Sequence, residues 1–178
     1  MLGFGKRPSG SPSARGFFHL RVDERLIHGQ VVVGWGIPLE INCLILANDQ
    51  VAGNVGDKEL YLQIIPEGMG GSVQTVDQAV AGTAEIKKHG ARCLVVVRSV
   101  DDALRWIASG NPPDLLILGG VHPEQGRRRV LDFVSLSDDE IGKLRGILQQ
   151  GIKVVCQDVW GGHPVDFEEA LRRARIIR

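Results

Sequence analysis

Arg21, Asp23, Arg25 and His28 fall within eight residues near the start of the chain. They follow a β-like run, Phe17-Phe18-His19-Leu20, and precede Gly29, Gln30 and the apolar Val31-Val32-Val33. A histidine between a strand and a helix, with guanidinium groups three and seven residues upstream, suits reversible transfer of a phosphoryl group. The imidazole attacks phosphorus, while arginines and the backbone N–H groups of a helix start hold the equatorial oxygens. The plain alternative is a solvated loop whose charges pair among themselves. Arg25 is the first candidate for gripping phosphate, because three residues is within reach on a tight loop. Arg21, at the strand end, is the second, and it can also pair with Asp23. Asp23 can orient the imidazole or an arginine, which decides which ring nitrogen stays unprotonated. Gly29 and Gln30 would open the helix beside His28.

These groups need a frame. Strand-like runs cover 17–22, 42–47, 72–76, 92–98, 114–118, 130–135 and 152–159, and helical patterns cover 29–37, 57–65, 77–89, 101–109, 138–150 and 166–176. Such alternation, with near-continuous apolar strands such as Cys93-Leu94-Val95-Val96-Val97, argues a single α/β domain. It would hold a mostly parallel central sheet of about seven strands with helices on both faces. Val31-Val32-Val33 favours a strand locally. A helix is nevertheless expected there, because parallel strands at 17–22 and 42–47 require a crossover. Ligand groups in open α/β sheets gather at the carboxyl ends of strands, which brings in Asn48 and Asp49 as crevice lining. An Asn-Asp pair that caps the next helix is the equal alternative. Gly119-Gly120 would let backbone approach the crevice, or simply turn the chain.

Lys plus Arg equals Asp plus Glu at 21 each and aromatics make up 5% of the chain, so nothing suggests a nucleic-acid partner. Cys43, Cys93 and Cys156 lie inside apolar runs without C-x-x-C spacing and suit a reducing cytoplasm. The five histidines are scattered, so no metal site is expected. His122, His163 and His19 read as lesser candidates than His28, and His89 as a cation near a helix end. No Walker-A or G-x-G-x-x-G pattern occurs, so no nucleotide cofactor, or any other, is expected. Residues 1–16, rich in Gly, Ser and Pro, read as a disordered leader before a domain at 17–178. No run reaches the about 18 apolar residues of a membrane span.

The string Arg21-Val22-Asp23-Glu24-Arg25-Leu26-Ile27-His28-Gly29-Gln30 resembles the phosphorylation site of the IIB component of the mannose/sorbose-type bacterial sugar phosphotransferase system. The likeness runs from about Phe18 to Val165. It takes in the Asn48-Asp49 strand ending, the Pro66-Glu67-Gly68 turn, the Ser99 helix opening, Gly119-Gly120 with Gly126-Arg127, and the Gly151–Val159 strand. His122 and Trp160 depart from the usual pattern of that family, and the Gly68–Gly71 turn is looser. The resemblance implies a phosphocarrier. A phosphorylated IIA protein or domain would hand its phosphoryl group to His28, on Nδ1, and His28 would pass it to a sugar delivered by membrane IIC and IID components. It implies a cytoplasmic protein that associates peripherally with the permease. Neither a IIA sequence nor a membrane segment is visible, so separate partner chains are expected. A homo-oligomer is compatible with the chain but not written in it. The alternatives are a regulatory phosphohistidine protein that modifies no sugar, and an α/β binding domain without covalent chemistry.

Overall fold

The computed structural model describes residues 16–177. The leader expected at 1–16 therefore lies, apart from Gly16, outside the described residues. In chain order the strands are β1 Phe17–Val22, β2 Cys43–Ala47, β3 Gly70–Gln74, β4 Arg92–Val97, β5 Leu115–Leu118, β6 Arg128–Leu131, β7 Val134–Leu136, β8 Val154–Cys156 and β9 Val165–Asp166. The helices are α1 Gly29–Val31, which runs into a π-helical turn at Val32–Gly36, then α2 Asp49–Gly53, α3 Val55–Ile64, α4 Val76–Ala81, α5 Thr83–Lys88, α6 Val100–Ala108, α7 Asp138–Gln149 and α8 Phe167–Arg173.

Seven strands form one sheet in the order β3-β2-β4-β1-β5-β8-β9, parallel throughout except for β9. Its central strands are buried on both sides, as every residue of β2 is, which is why they read as continuous apolar runs. Alternate residues feed two cores. Phe18, Leu20 and Val22 pack with Ile86, Trp106, Leu144 and Phe167 beneath α5, α6, α7 and α8. Leu44, Leu46, Leu94, Val96 and Ile117 pack on the other face with Val31, Val32 and Trp35 of the first crossover. Burial of that face decides the conformation of Val31-Val32-Val33. As a helix the segment lays Val31 and Val32 on the sheet and closes the β1–β2 crossover, and this outweighs its β propensity.

Three expectations need correction. The run at 130–135 does not join the central sheet. Its residues fall into an antiparallel two-stranded ribbon, β6 with β7, because Asp132 and Phe133 turn the chain between them. The seventh strand of the main sheet is β9, paired antiparallel with β8. The helix expected at 77–89 is two helices that meet at Gly82, which caps the end of the first and the start of the second. The single helix expected at 57–65 is preceded by α2, since Asn48 caps one start and Asn54 the next.

The connection after β1 runs towards β2 on one side of the sheet, and that after β5 towards β8 on the other. β1 and β5 are neighbours. Their carboxyl ends therefore flank a topological switch point, where open α/β sheets leave a crevice. The loop that carries His28 follows β1, and Gly119-Gly120 follows β5.

Candidate functional site

The loop from Asp23 to His28 is anchored at both ends. The Asp23 amide donates to Val97 O at 2.9 Å and the Glu24 amide to Gly120 O at 2.8 Å, which extends the sheet pairing past Val22. Leu26 and Ile27 are buried in the core on the α1 face. Leu26 adopts a left-handed backbone at φ 59. A non-glycine residue holds that conformation only where packing over-determines it. Sinking these two side chains turns His28 outward at the start of α1, where its ring is 21% exposed. Gly29 and Gln30 are exposed beside it.

Asp23 organises the site. Its carboxylate is fully buried and takes Arg21 Nε and Nη2 on Oδ2 at 3.2 and 2.7 Å, and the Arg25 amide on Oδ1 at 3.1 Å. The same Oδ2 lies 3.4 Å from His28 Nε2. Burial alone would raise the Asp23 carboxyl. The charge and hydrogen bonds of Arg21, with help from the Gly120 backbone and His28, hold it below its ordinary value, so it stays ionised. Burial also lowers the His28 imidazole, and the neighbouring guanidiniums add to this while Asp23 opposes it. The ring is therefore neutral near pH 7. A carboxylate at Nε2 favours the tautomer with its proton there and leaves the Nδ1 lone pair free.

The two arginines divide their work. Arg21 is wholly buried. Besides Asp23 it donates to Gln157 O at 2.9 Å and Asp158 O at 3.1 Å, and its guanidinium stands over the Trp35 ring at 5.1 Å. It is a fastener, with four of its five N–H donors engaged. Arg25 is 41% exposed and donates to Gln30 Oε1 at 2.9 Å, which leaves guanidinium N–H groups for an anion at His28. Glycine is required at Gly119 and gives the closest fit at Gly120. A Cβ at Gly119 would lie 2.2 Å from Arg21 Nη2, and one at Gly120 would lie 3.1 Å from Asp23 Oδ1.

Asn48 and Asp49 are engaged with other partners. Asn48 accepts the Val51 amide and caps α2. Asp49 accepts the Val76 amide and pairs with Arg105, and these bonds hold its carboxyl below the usual range. Both take the capping and bracing geometry and carry no described bond to the His28 loop. His122 donates to Glu24 Oε2 through its amide at 2.9 Å and faces it through Nδ1 at 3.0 Å. Arg127 bridges Glu24 to Glu140 and so ties the loop to the start of α7. Sequence reasoning missed Gln157, Asp158 and Trp35 as parts of the site. The rule that points to Asn48 and Asp49, polar residues at a strand's carboxyl end, applies equally to Gln157 and Asp158 after β8. Among the described residues no group of three or more His, Cys, Asp or Glu could hold a metal ion. None of the described helices is long and apolar enough to cross a membrane.

A doubly wound α/β domain with a neutral histidine, a buried carboxylate beside it and a partly exposed arginine at its switch point is an arrangement that can take part in phosphoryl chemistry. The model of the sorbose subfamily IIB component of the PTS system, the sugar phosphotransferase system, matches residues 17–178, and the chain belongs to that family. The fructose-specific EIIB component of Bacillus subtilis is 24% identical over 152 residues, which cover 85% of this chain and 93% of that protein. The mannose-specific EIIAB component of Escherichia coli K12 is 27% identical over 139 residues, 78% of this chain but only 43% of that longer protein. The crystal structure of the IIB domain of the sorbose permease from Klebsiella pneumoniae superposes with a TM-score of 0.79 at 25% identity, covering 88% of this chain and 96% of that one.

Proposed function

We propose that His28 accepts a phosphoryl group on Nδ1 from a phosphorylated IIA partner and passes it to a sugar presented by the IIC and IID membrane components. The observation that carries this reading is the buried Asp23 carboxylate at Nε2 of a neutral imidazole. In the first step the Nδ1 lone pair attacks phosphorus and the donor's bond to phosphorus breaks. In the second, a sugar hydroxyl oxygen attacks, the P–Nδ1 bond breaks, the electron pair returns to the imidazole and the hydroxyl proton is released. Arg25 supports the equatorial oxygens, and Gly29 and Gln30 line the approach. Little covalent work falls to any other side chain, since phosphoryl transfer rests chiefly on positioning and charge. The reading places the protein in the cytoplasm and at the permease surface.

The test is incubation with phosphoenolpyruvate, the general phosphotransferase proteins and a IIA partner, followed by intact-mass analysis. One phosphoryl group, labile to acid and mapped to His28, is expected. His28→Ala should take up none while keeping its circular dichroism. Labelling of His28→Ala, or labelling mapped to His122, would overturn the assignment.

A further inference from the structure

One carboxylate at the site has no function in the scheme above. Asp158 follows β8, and its main chain is pinned: its carbonyl accepts Arg21 Nη2 at 3.1 Å and Trp35 Nε1 at 2.8 Å. Its side chain is 36% exposed, yet Oδ1 is buried and has no hydrogen-bond partner. Two guanidiniums stand near it: Arg25, with Nη2 at 3.9 Å, too long for a hydrogen bond, and the buried Arg21, whose charge also acts on Asp158. A buried carboxylate oxygen left without a donor is costly. Its placement next to the one exposed arginine of the loop calls for a role.

We infer that Asp158 is a positioning residue that competes with a phosphoryl group on His28 for Arg25 and so keeps that group transferable. Arg25 is shared among Gln30 Oε1 at 2.9 Å, Asp23 Oδ1 at 3.6 Å and Asp158 Oδ1 at 3.9 Å. A phosphoryl group on the imidazole brings further negative charge within reach of the same guanidinium. It draws Arg25 away from Asp158 and meets the Asp158 carboxylate as a like charge. Both effects raise the free energy of the phosphorylated state relative to the free imidazole. A carrier benefits, because a phosphoryl group held too firmly is not passed on. Arg21 is poorly placed to relieve the competition, since it is wholly buried and four of its five N–H donors are engaged by Asp23 and by the Gln157 and Asp158 carbonyls.

The inference rests on His28 as acceptor, and the experiment separates the two. Wild type, Asp158→Asn, Asp158→Glu and Asp158→Ser are each equilibrated with phosphorylated IIA partner, and the ratio of phosphorylated to free protein is read by intact mass. Asp158→Asn keeps the backbone carbonyl and the side-chain shape while it removes the charge. It should shift the ratio towards the phosphorylated form by on the order of three- to ten-fold, the size expected of one like charge at several ångströms in a half-solvated site. Loss of phosphate from isolated phosphoprotein should slow in the same variant. Asp158→Glu should stay close to wild type, and Asp158→Ser should shift with Asp158→Asn, which covers the case of a poorly folded amide variant. A purely structural role would leave the ratio unmoved or lower it. Wild type that takes no phosphate would overturn the acceptor assignment itself. Wild type that is labelled, with Asp158→Asn and Asp158→Ser at an unchanged or lowered ratio, would overturn the role of Asp158 alone.

Discussion

At the scale of the residue, the site separates two arginines that look equivalent in the sequence. Arg21 is buried and holds Asp23, whereas Arg25 is exposed enough to reach an anion. Arg25→Ala should therefore slow phosphorylation by on the order of 10²-fold, the typical loss when one charge-stabilising donor is removed from a transition state. Arg25→Lys should recover only part of this, because an ammonium lacks the planar fork. Rapid-quench kinetics with the phosphorylated donor check both. Unchanged rates would mean that Arg25 merely pairs with Gln30 and Asp23. The His28 string was legible in the sequence because the residues that orient the ring lie within a few positions of it. The commitment of Arg21 was not, because it depends on carbonyls 136 and 137 positions downstream.

The elements set how closely those side chains approach one another. β5 is followed by Gly119-Gly120, where the backbone lies against Arg21, Asp23 and Arg25, with no room for a methyl group at Gly119 and a tight fit for one at Gly120. Gly119→Ala should cost about 1–3 kcal/mol, the usual penalty for overpacking, and should also weaken phosphorylation by displacing the Arg21–Asp23 pair. Gly146→Ala on α7 is the natural control, since a Cβ there meets nothing within 4 Å. Replacing an unconstrained glycine should leave stability unchanged or raise it by about 0.4–1 kcal/mol. Urea denaturation distinguishes the two. Most strands were legible from near-continuous apolar runs, and most helices from their alternation with those runs. The β6–β7 ribbon was not, because its apolar residues resemble a sheet strand while Asp132 and Phe133 fold them back as a hairpin.

At the scale of the whole molecule, burial couples stability to pH. His19 is lowered by burial, with Asp114 opposing, and its Nδ1 is buried without a partner. His28 is lowered as well. As pH falls through their ordinary value of 6.5, the unfolded chain takes up protons before the folded one does, so stability declines from there downward. Asp23 and Glu24 are also lowered despite burial, by Arg21 in one case and by His122 and Arg127 in the other. Their contribution is present above the ordinary values of 3.8 and 4.5 and is lost as pH falls through the folded ones. Stability measured by urea at several pH values should therefore fall continuously from about pH 7 into the acid range. His19→Gln should flatten the upper limb and leave the lower one. A curve in His19→Gln that matches wild type throughout would remove His19 from the account.

Local pattern was enough to establish an α/β domain and a helical crossover after the first strand, and it singled out His28 as the candidate acceptor. Alternation, capping residues and an eight-residue string are all short-range facts, and backbone geometry converts them directly into strands, helix starts and a loop. Tertiary structure alone decided which arginine is the buried fastener and which stays exposed, that the Asn48-Asp49 pair caps and braces α2 and α4, and that Asp158 lies beside Arg21 and Arg25. Those outcomes depend on which strand ends the sheet order brings together. Sheet order is set by how two apolar faces are buried across the whole chain, which no single segment contains.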